Sequence, residues 1–141
     1  MKAQELMLGD LVTFRDCQKD TSPTIIKVWQ INADNEAFAS IDNDDVLDEI
    51  AIDDEIVGIP LTPEILKKNG FDFLYSSVPG GTPQEQRMRK VDTYKWQGIA
   101  VNYYHETNDF QMVNFRGVRF DYVHQLQHAL RLCRIEKDIK L

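Results

Sequence analysis

The sequence predicts an α+β protein in two parts. Residues 1–60 read as a small acidic β unit, barrel-like or a curled sheet. Residues 61–141 read as a helix, an antiparallel meander and a C-terminal helix that covers the sheet. Three observations predict this. Short β-rich runs separated by polar turns fill the first part. A capped helix signal at residues 62–70 divides them from a second, aromatic group of runs. The stretch FDYVHQLQHALRLCRI, residues 120–135, carries Tyr122, Leu126, Ala129, Leu130 and Cys133 on one face at helical spacing, with His124, His128, Arg131 and Ile135 opposite.

In order, residues 3–8 are mostly polar and Gly9-Asp10 signals a turn before a strand at 11–15. The run QKDTSP is loop material. Residues 24–31, TIIKVWQI, alternate so that Ile25, Trp29 and Ile31 share a face over a core. A turn at 33–36, a strand at 37–41, a turn at 42–45 and one or two strands within 46–59 complete the unit. The segment DNDDVLDEIAIDDE at 42–55 is acidic without one basic residue. It lacks the central glycine and spaced final glutamate of a calcium loop, so it reads first as a solvated face, with a partner-docking surface and then a divalent-cation site as the lesser alternatives.

Thr62 is placed to cap a helix, with Pro63 at its first position, Leu61 and Leu66 spaced for a hydrophobic staple, Lys67 and Lys68 near its end and Gly70 as its stop. Residues 71–76 begin a strand. SVPGGTPQEQRMRK, 77–90, reads as an irregular, mobile loop because of its prolines and paired glycines. Strands follow at 93–104, 110–115 and 118–120, with HETND as a turn. The last helix follows that strand with Asp121 as its cap, and its apolar face is expected on this second sheet.

Composition narrows function. The 141 residues hold 23 acidic against 16 basic side chains, a net charge of -7, which opposes a broad phosphate-binding surface. Arg87, Arg89, Lys90, Lys95 and Arg116 are the local basic residues that would contact nucleic acid or an acidic partner, beside the aromatic residues of the second half. Cys17 and Cys133 form no metal or redox pair by spacing; a disulfide between them stays open. His124 and His128, four apart on a helix, are the weak metal candidates, with His105, Glu106 or Asp109 as the source of a third ligand. Position 125 is glutamine, so there is no HExxH pattern. The bland alternative has His124 and Gln125 bonding nearby backbone and His128 on the surface. His105, Glu106 and Asp109 are also the groups from which acid–base chemistry would be built, but nothing in the spacing pairs them. No catalytic residue and no cofactor is assigned. No run suits a signal peptide or a membrane span, so the expected place is the cytoplasm.

PLTPEILKKNGF at 60–71 and YVHQLQHAL at 122–130 resemble small uncharacterised proteins of Bacteroidetes genomes, phages and other mobile elements. Those proteins start with a polar segment, a Gly-Asx turn and a strand, as residues 5–12 do here. They carry an Ile-Pro-Leu-Thr entry to a helix ending at Gly-Phe, here 59–62 and 70–71. They finish on a Tyr-Val-His-Gln-Leu-Gln helix, here 122–127. The GGTP at 80–83 looks like a local elaboration. The resemblance implies a bacterial cytosolic accessory protein of phage or mobile-element origin and brings no activity, substrate or cofactor. Two function classes are weighed on this basis. The first is a non-enzymatic protein-interaction module, which predicts an exposed apolar or aromatic patch beside the acidic face. The alternative is a nucleic-acid-associated accessory protein, which predicts the five basic residues on one face. A metal-dependent enzyme ranks third.

Overall fold

A computed structural model describes residues 6–17, 24–31, 37–41, 50–51, 56–113 and 118–141, with the backbone alone at 17, 29–31, 37–41 and 50–51. The chain divides into two compact units, Met1–Pro60 with Tyr122–Lys137, and Leu61–Asp121 with Asp138–Leu141. The fold is α+β, with two antiparallel sheets and a C-terminal helix. Among the described residues no helix is long and apolar enough to cross a membrane. The side chain of Trp29, and the acidic run apart from residues 50 and 51, lie outside what is described, but the face expected over a core is corrected: Ile26 and Val28 are fully buried, whereas Ile25 is half-buried and Lys27 exposed.

In the first unit, strand β1 (Leu11–Phe14) runs into a 3-10 turn at Arg15–Cys17. It pairs on one side with β2 (Ile26–Ile31) and on the other with β5 (Ile56–Gly58). Strands β3 (Ala37–Ile41) and β4 (Ile50–Ala51) extend the sheet beyond β2, giving the order β4-β3-β2-β1-β5. Among the described residues this order is open, since β4 and β5 each have one hydrogen-bonded neighbour. Leu11, Val12 and Thr13 are all buried. The Thr13 hydroxyl escapes an unpaired burial by donating to the Thr24 carbonyl at 2.7 Å.

Helix α3 (Val123–Leu132) belongs to this first unit. The sequence assigns it to the second sheet, and that expectation is corrected by its grip on β1. The Gln127 side chain acts like a strand's peptide group: its Nε2 donates to Gly9 O and its Oε1 accepts from Leu11 N–H, both at 3.1 Å. Val123, Leu126, Ala129 and Leu130 are buried, and so are Gln127 and, on the side expected to be polar, His124. Each fully buried leucine contributes about 1.5–3 kcal/mol. The helix is shorter than its periodicity. Phe120 belongs to a strand, as read at 118–120, and the N-cap is Tyr122 rather than Asp121. As expected of it, Gln125 bonds the nearby backbone, its Oε1 accepting from Tyr122 N–H at 3.2 Å. At Gly58, β5 passes so near the helix start that a Cβ would lie 2.6 Å from Tyr122 Cγ and 2.9 Å from His124 Cε1, so a side chain has no room.

The second unit opens with α1 (Pro63–Lys68). Its cap forms as read: Thr62 Oγ1 accepts from Ile65 N–H at 3.3 Å, with Pro63 in the first turn. Gly70 takes the left-handed conformation, φ +80, that ends the helix. Strands β6 (Asp72–Ser77), β7 (Val91–Trp96), β8 (Ile99–Tyr104), β9 (Asp109–Met112) and β10 (Arg119–Phe120) form an antiparallel meander in the order β10-β9-β8-β7-β6. Its core includes Leu66, Phe71, Tyr94, Val101, Phe110, Phe120 and Ile139. The Asn69 side chain holds the tail, accepting from Lys140 N–H at 2.8 Å and donating to Lys140 O at 2.7 Å.

The segment expected to be an irregular loop contains a helix, α2 (Pro83–Met88). Thr82 and Glu85 close a capping box: Glu85 N–H donates to Thr82 Oγ1 at 3.3 Å, and Thr82 N–H donates to Glu85 Oε2 at 2.9 Å. These bonds hold the Glu85 carboxyl below its ordinary value. The proline that seemed to forbid regular structure occupies the first helical turn, where its missing N–H costs nothing.

Candidate functional site

The meander ends in two unequal edges. Strand β10 has two residues and offers little backbone for pairing, whereas β6 has six and every one is exposed. The cause lies in the sequence. Phe73, Leu74 and Tyr75 are consecutive, and strand side chains alternate, so three adjacent large residues cannot all face one core. Phe73 meets Tyr94 edge-on, ring centroids 5.9 Å apart, yet remains 51% exposed; Tyr75 is 56% exposed. Leu74 and Val78 are exposed too. Between Phe73 and Tyr75 the register with β7 shifts by one residue, a bulge that bends the edge and narrows what can pair with it. At the start of β6 lies an open depression of about 510 Å³, lined by Gly70, Asp72, Leu74, Lys95, Trp96, Gln97 and Gly98.

A buried carboxylate ties this edge to the sheet. Asp92 on β7 accepts from Ser76 Oγ at 2.5 Å and pairs with Lys90 Nζ at 3.3 Å through Oδ1, while His105 Nε2 lies 2.7 Å from Oδ2. Burial pushes the Asp92 carboxyl up, but the bonds from Ser76, His105 and Lys90 outweigh it, leaving the carboxyl below its ordinary value. Burial first, then the Asp92 and Glu64 charges, raises the Tyr94 phenol; burial, then Glu64 and Asp92, raises Tyr103. Ser76 and His105 share the carboxylate instead of bonding each other. The serine proton therefore points at Asp92, and the histidine is not placed to take it.

A group ionising more readily when folded stabilises the folded state at neutral pH. For Asp92 that contribution is complete above the ordinary carboxyl value of 3.8 and is lost as pH falls from there through the lowered folded value. The gap in unfolding free energy between wild type and Asp92→Asn is thus expected to narrow between pH 6 and pH 3. Urea titrations at both pH values check this, and a constant gap would contradict it.

The residues singled out from the sequence distribute unevenly. Arg87 and Arg89 are exposed at the end of α2, and Lys95 is exposed on β7 at the far end of the hairpin, where it faces Asp72 in register. Lys90 is engaged by Asp92. Arg116 lies outside the described residues. His105 meets Asp92, whereas Asp109 accepts from Thr107 Oγ1 and pairs with Arg119 Nε at 3.2 Å.

His124 and His128 do come together, ring centroids 5.8 Å apart at 70°, but not as surface groups. His124 is buried and stacks on Tyr122. His128, expected on the surface, is half-buried with Nε2 2.6 Å from Asp10 Oδ2. The same fully buried carboxylate accepts from Met7 N–H at 2.7 Å and from Arg131 Nη1 at 2.8 Å. His128 and Arg131 thus clamp the turn before β1, which sequence reasoning missed because it placed both side chains on the solvent face. Among the described residues no group of three or more His, Cys, Asp or Glu is placed to hold a metal ion. Cys133, a free thiol, ends α3 half-buried. Compared with known proteins, the chain matches no family model, no curated protein and no solved structure.

Proposed function

We propose that the protein is a non-enzymatic interaction module that binds another protein along β6, which pairs among the described residues with β7 alone. The observation that carries this reading is a six-residue edge strand, exposed throughout, with Phe73, Leu74 and Tyr75 on it. An exposed edge offers unpaired backbone N–H and C=O groups, and an incoming strand satisfies them while its side chains meet the apolar ones on either face. Barrel-like curling of the first sheet belongs to the same reading, since it would cover the β4 and β5 edges. So does the resemblance to bacterial phage and mobile-element proteins, which favours an accessory role in the cytoplasm.

The test is capture of proteins from a bacterial lysate, followed by titration of each purified candidate. A genuine partner is expected to bind wild type and to lose at least about tenfold in affinity, about 1.4 kcal/mol, with the Leu74→Lys/Tyr75→Lys variant. Equal binding by the variant would remove β6 as the interface. The nucleic-acid reading calls for salt-dependent binding of single-stranded DNA or RNA that weakens with Arg87→Glu. Such binding, with no protein partner, would displace the present proposal.

A further inference from the structure

The geometry points to the chemistry of the β6 partner: we propose an extended peptide with a bulky apolar side chain at one end and a cluster of acidic residues at the other. This rests on the edge reading above and adds what the edge selects. The two ends of β6 differ. At its start, Asp72 and Lys95 face each other across the hairpin and balance in charge, while Leu74 and Trp96 give the adjoining depression an apolar wall. That end takes a large uncharged group. At its finish, Ser77 pairs with Val91, so the connection carrying α2 lies at this end.

Arg87 and Arg89, at the end of α2 and just before β7, are exposed there, and so are Met88 and Val78. Neither arginine forms an ion pair with a described residue, in contrast to Lys90, Arg119 and Arg131, which are held by Asp92, Asp109 and Asp10. Two guanidinium groups with no carboxylate partner among the described residues favour carboxylates, which they can bind in bidentate fashion, and penalise a basic segment. Six strand residues span roughly 20 Å, so the apolar and acidic features of the peptide stand about six residues apart. The bulge at Leu74 interrupts a flat edge and disfavours unselective pairing, which fits a chosen peptide better than any passing strand.

The experiment is selection from a displayed library of random twelve-residue peptides on the full chain, in parallel with the Arg87→Glu/Arg89→Glu variant. Wild type is expected to enrich peptides with Leu, Phe or Trp about six residues from two or more Asp or Glu. The variant should lose the acidic feature, with at least a tenfold fall in affinity for synthetic copies of the wild-type winners. Backbone N-methylation of those copies should abolish binding. Winners without acidic residues that are still N-methylation-sensitive would overturn the partner chemistry and leave the edge reading standing. Binding that survives N-methylation at every position, or no enrichment at all, would overturn both. Sedimentation equilibrium covers the remaining occupant: a wild-type dimer abolished by Leu74→Lys would make a second copy the partner and overturn the proposal.

Discussion

Replacing Asp10 by alanine is expected to lower the stability of the first unit by about 3 kcal/mol. The carboxylate is fully buried and joins three groups, Met7 N–H, His128 Nε2 and Arg131 Nη1. Losing it strands a backbone donor, which costs roughly 1–3 kcal/mol, and leaves two side chains without the acceptor that positions them. Gln127 would still bracket the same turn through Gly9 O and Leu11 N–H, so the loss should weaken the unit without abolishing it. Asp10→Asn should fall between, because an amide oxygen in the Oδ2 position can still accept from Met7 while the NH₂ in the Oδ1 position opposes Arg131. His128→Ala should cost less than Asp10→Ala, since Arg131 and Met7 continue to satisfy the carboxylate. Trp29, in β2, and Trp96, in β7, are the two tryptophans of the chain. A Trp96→Phe background therefore leaves one fluorophore in the first unit, and urea titration followed by it measures the effect. A loss under about 1 kcal/mol for Asp10→Ala would mean that the carboxylate does not anchor α3 to β1.

Much of the fold was legible because the signals were local. The Thr62–Pro63 start and Gly70 stop of α1 depend on neighbouring residues alone, and they form as read. The strands of the meander could be located for the same reason. What failed depended on distance or on relative weight. The periodicity of residues 120–135 identifies a helix but does not say which sheet it meets; that is decided by Gln127, His128 and Arg131 acting on residues about 120 positions earlier. Polar residues on a helix default to solvent, and here they were drawn inward by Asp10 and by a bare backbone turn. In TPQE the capping box is present in the sequence, and it prevails over the prolines and glycines around it. The candidate site carries a signal that the sequence reading above does not use: three consecutive large apolar residues, Phe73 to Tyr75, cannot all face the core of a sheet buried on one side.

Phe71→Ala is expected to be the most damaging single change in the second unit, at about 3–5 kcal/mol. Phe71 is fully buried at the junction of α1 and β6, its ring 5.8 Å from that of Trp96. Its N–H donates to Leu66 O at 3.0 Å, which seats the ring directly after the helix stop at Gly70. Truncation removes the aromatic surface and leaves a cavity between a helix end and a sheet, where main-chain hydrogen bonds limit collapse. Phe71→Leu should recover most of the loss by refilling the space. Phe73→Ala, two residues along the same chain, is the informative contrast. Its ring is half in solvent and touches Tyr94 only edge-on, so the expected cost is below about 1 kcal/mol. Urea titration in a Trp29→Phe background, which leaves Trp96 to report the second unit, measures all three. Similar losses for Phe71→Ala and Phe73→Ala would place Phe73 in the core and remove it from the binding edge. A large loss for the first and a small one for the second leaves Phe73 as a residue whose apolar surface is not needed for folding, which is what a partner-facing strand requires.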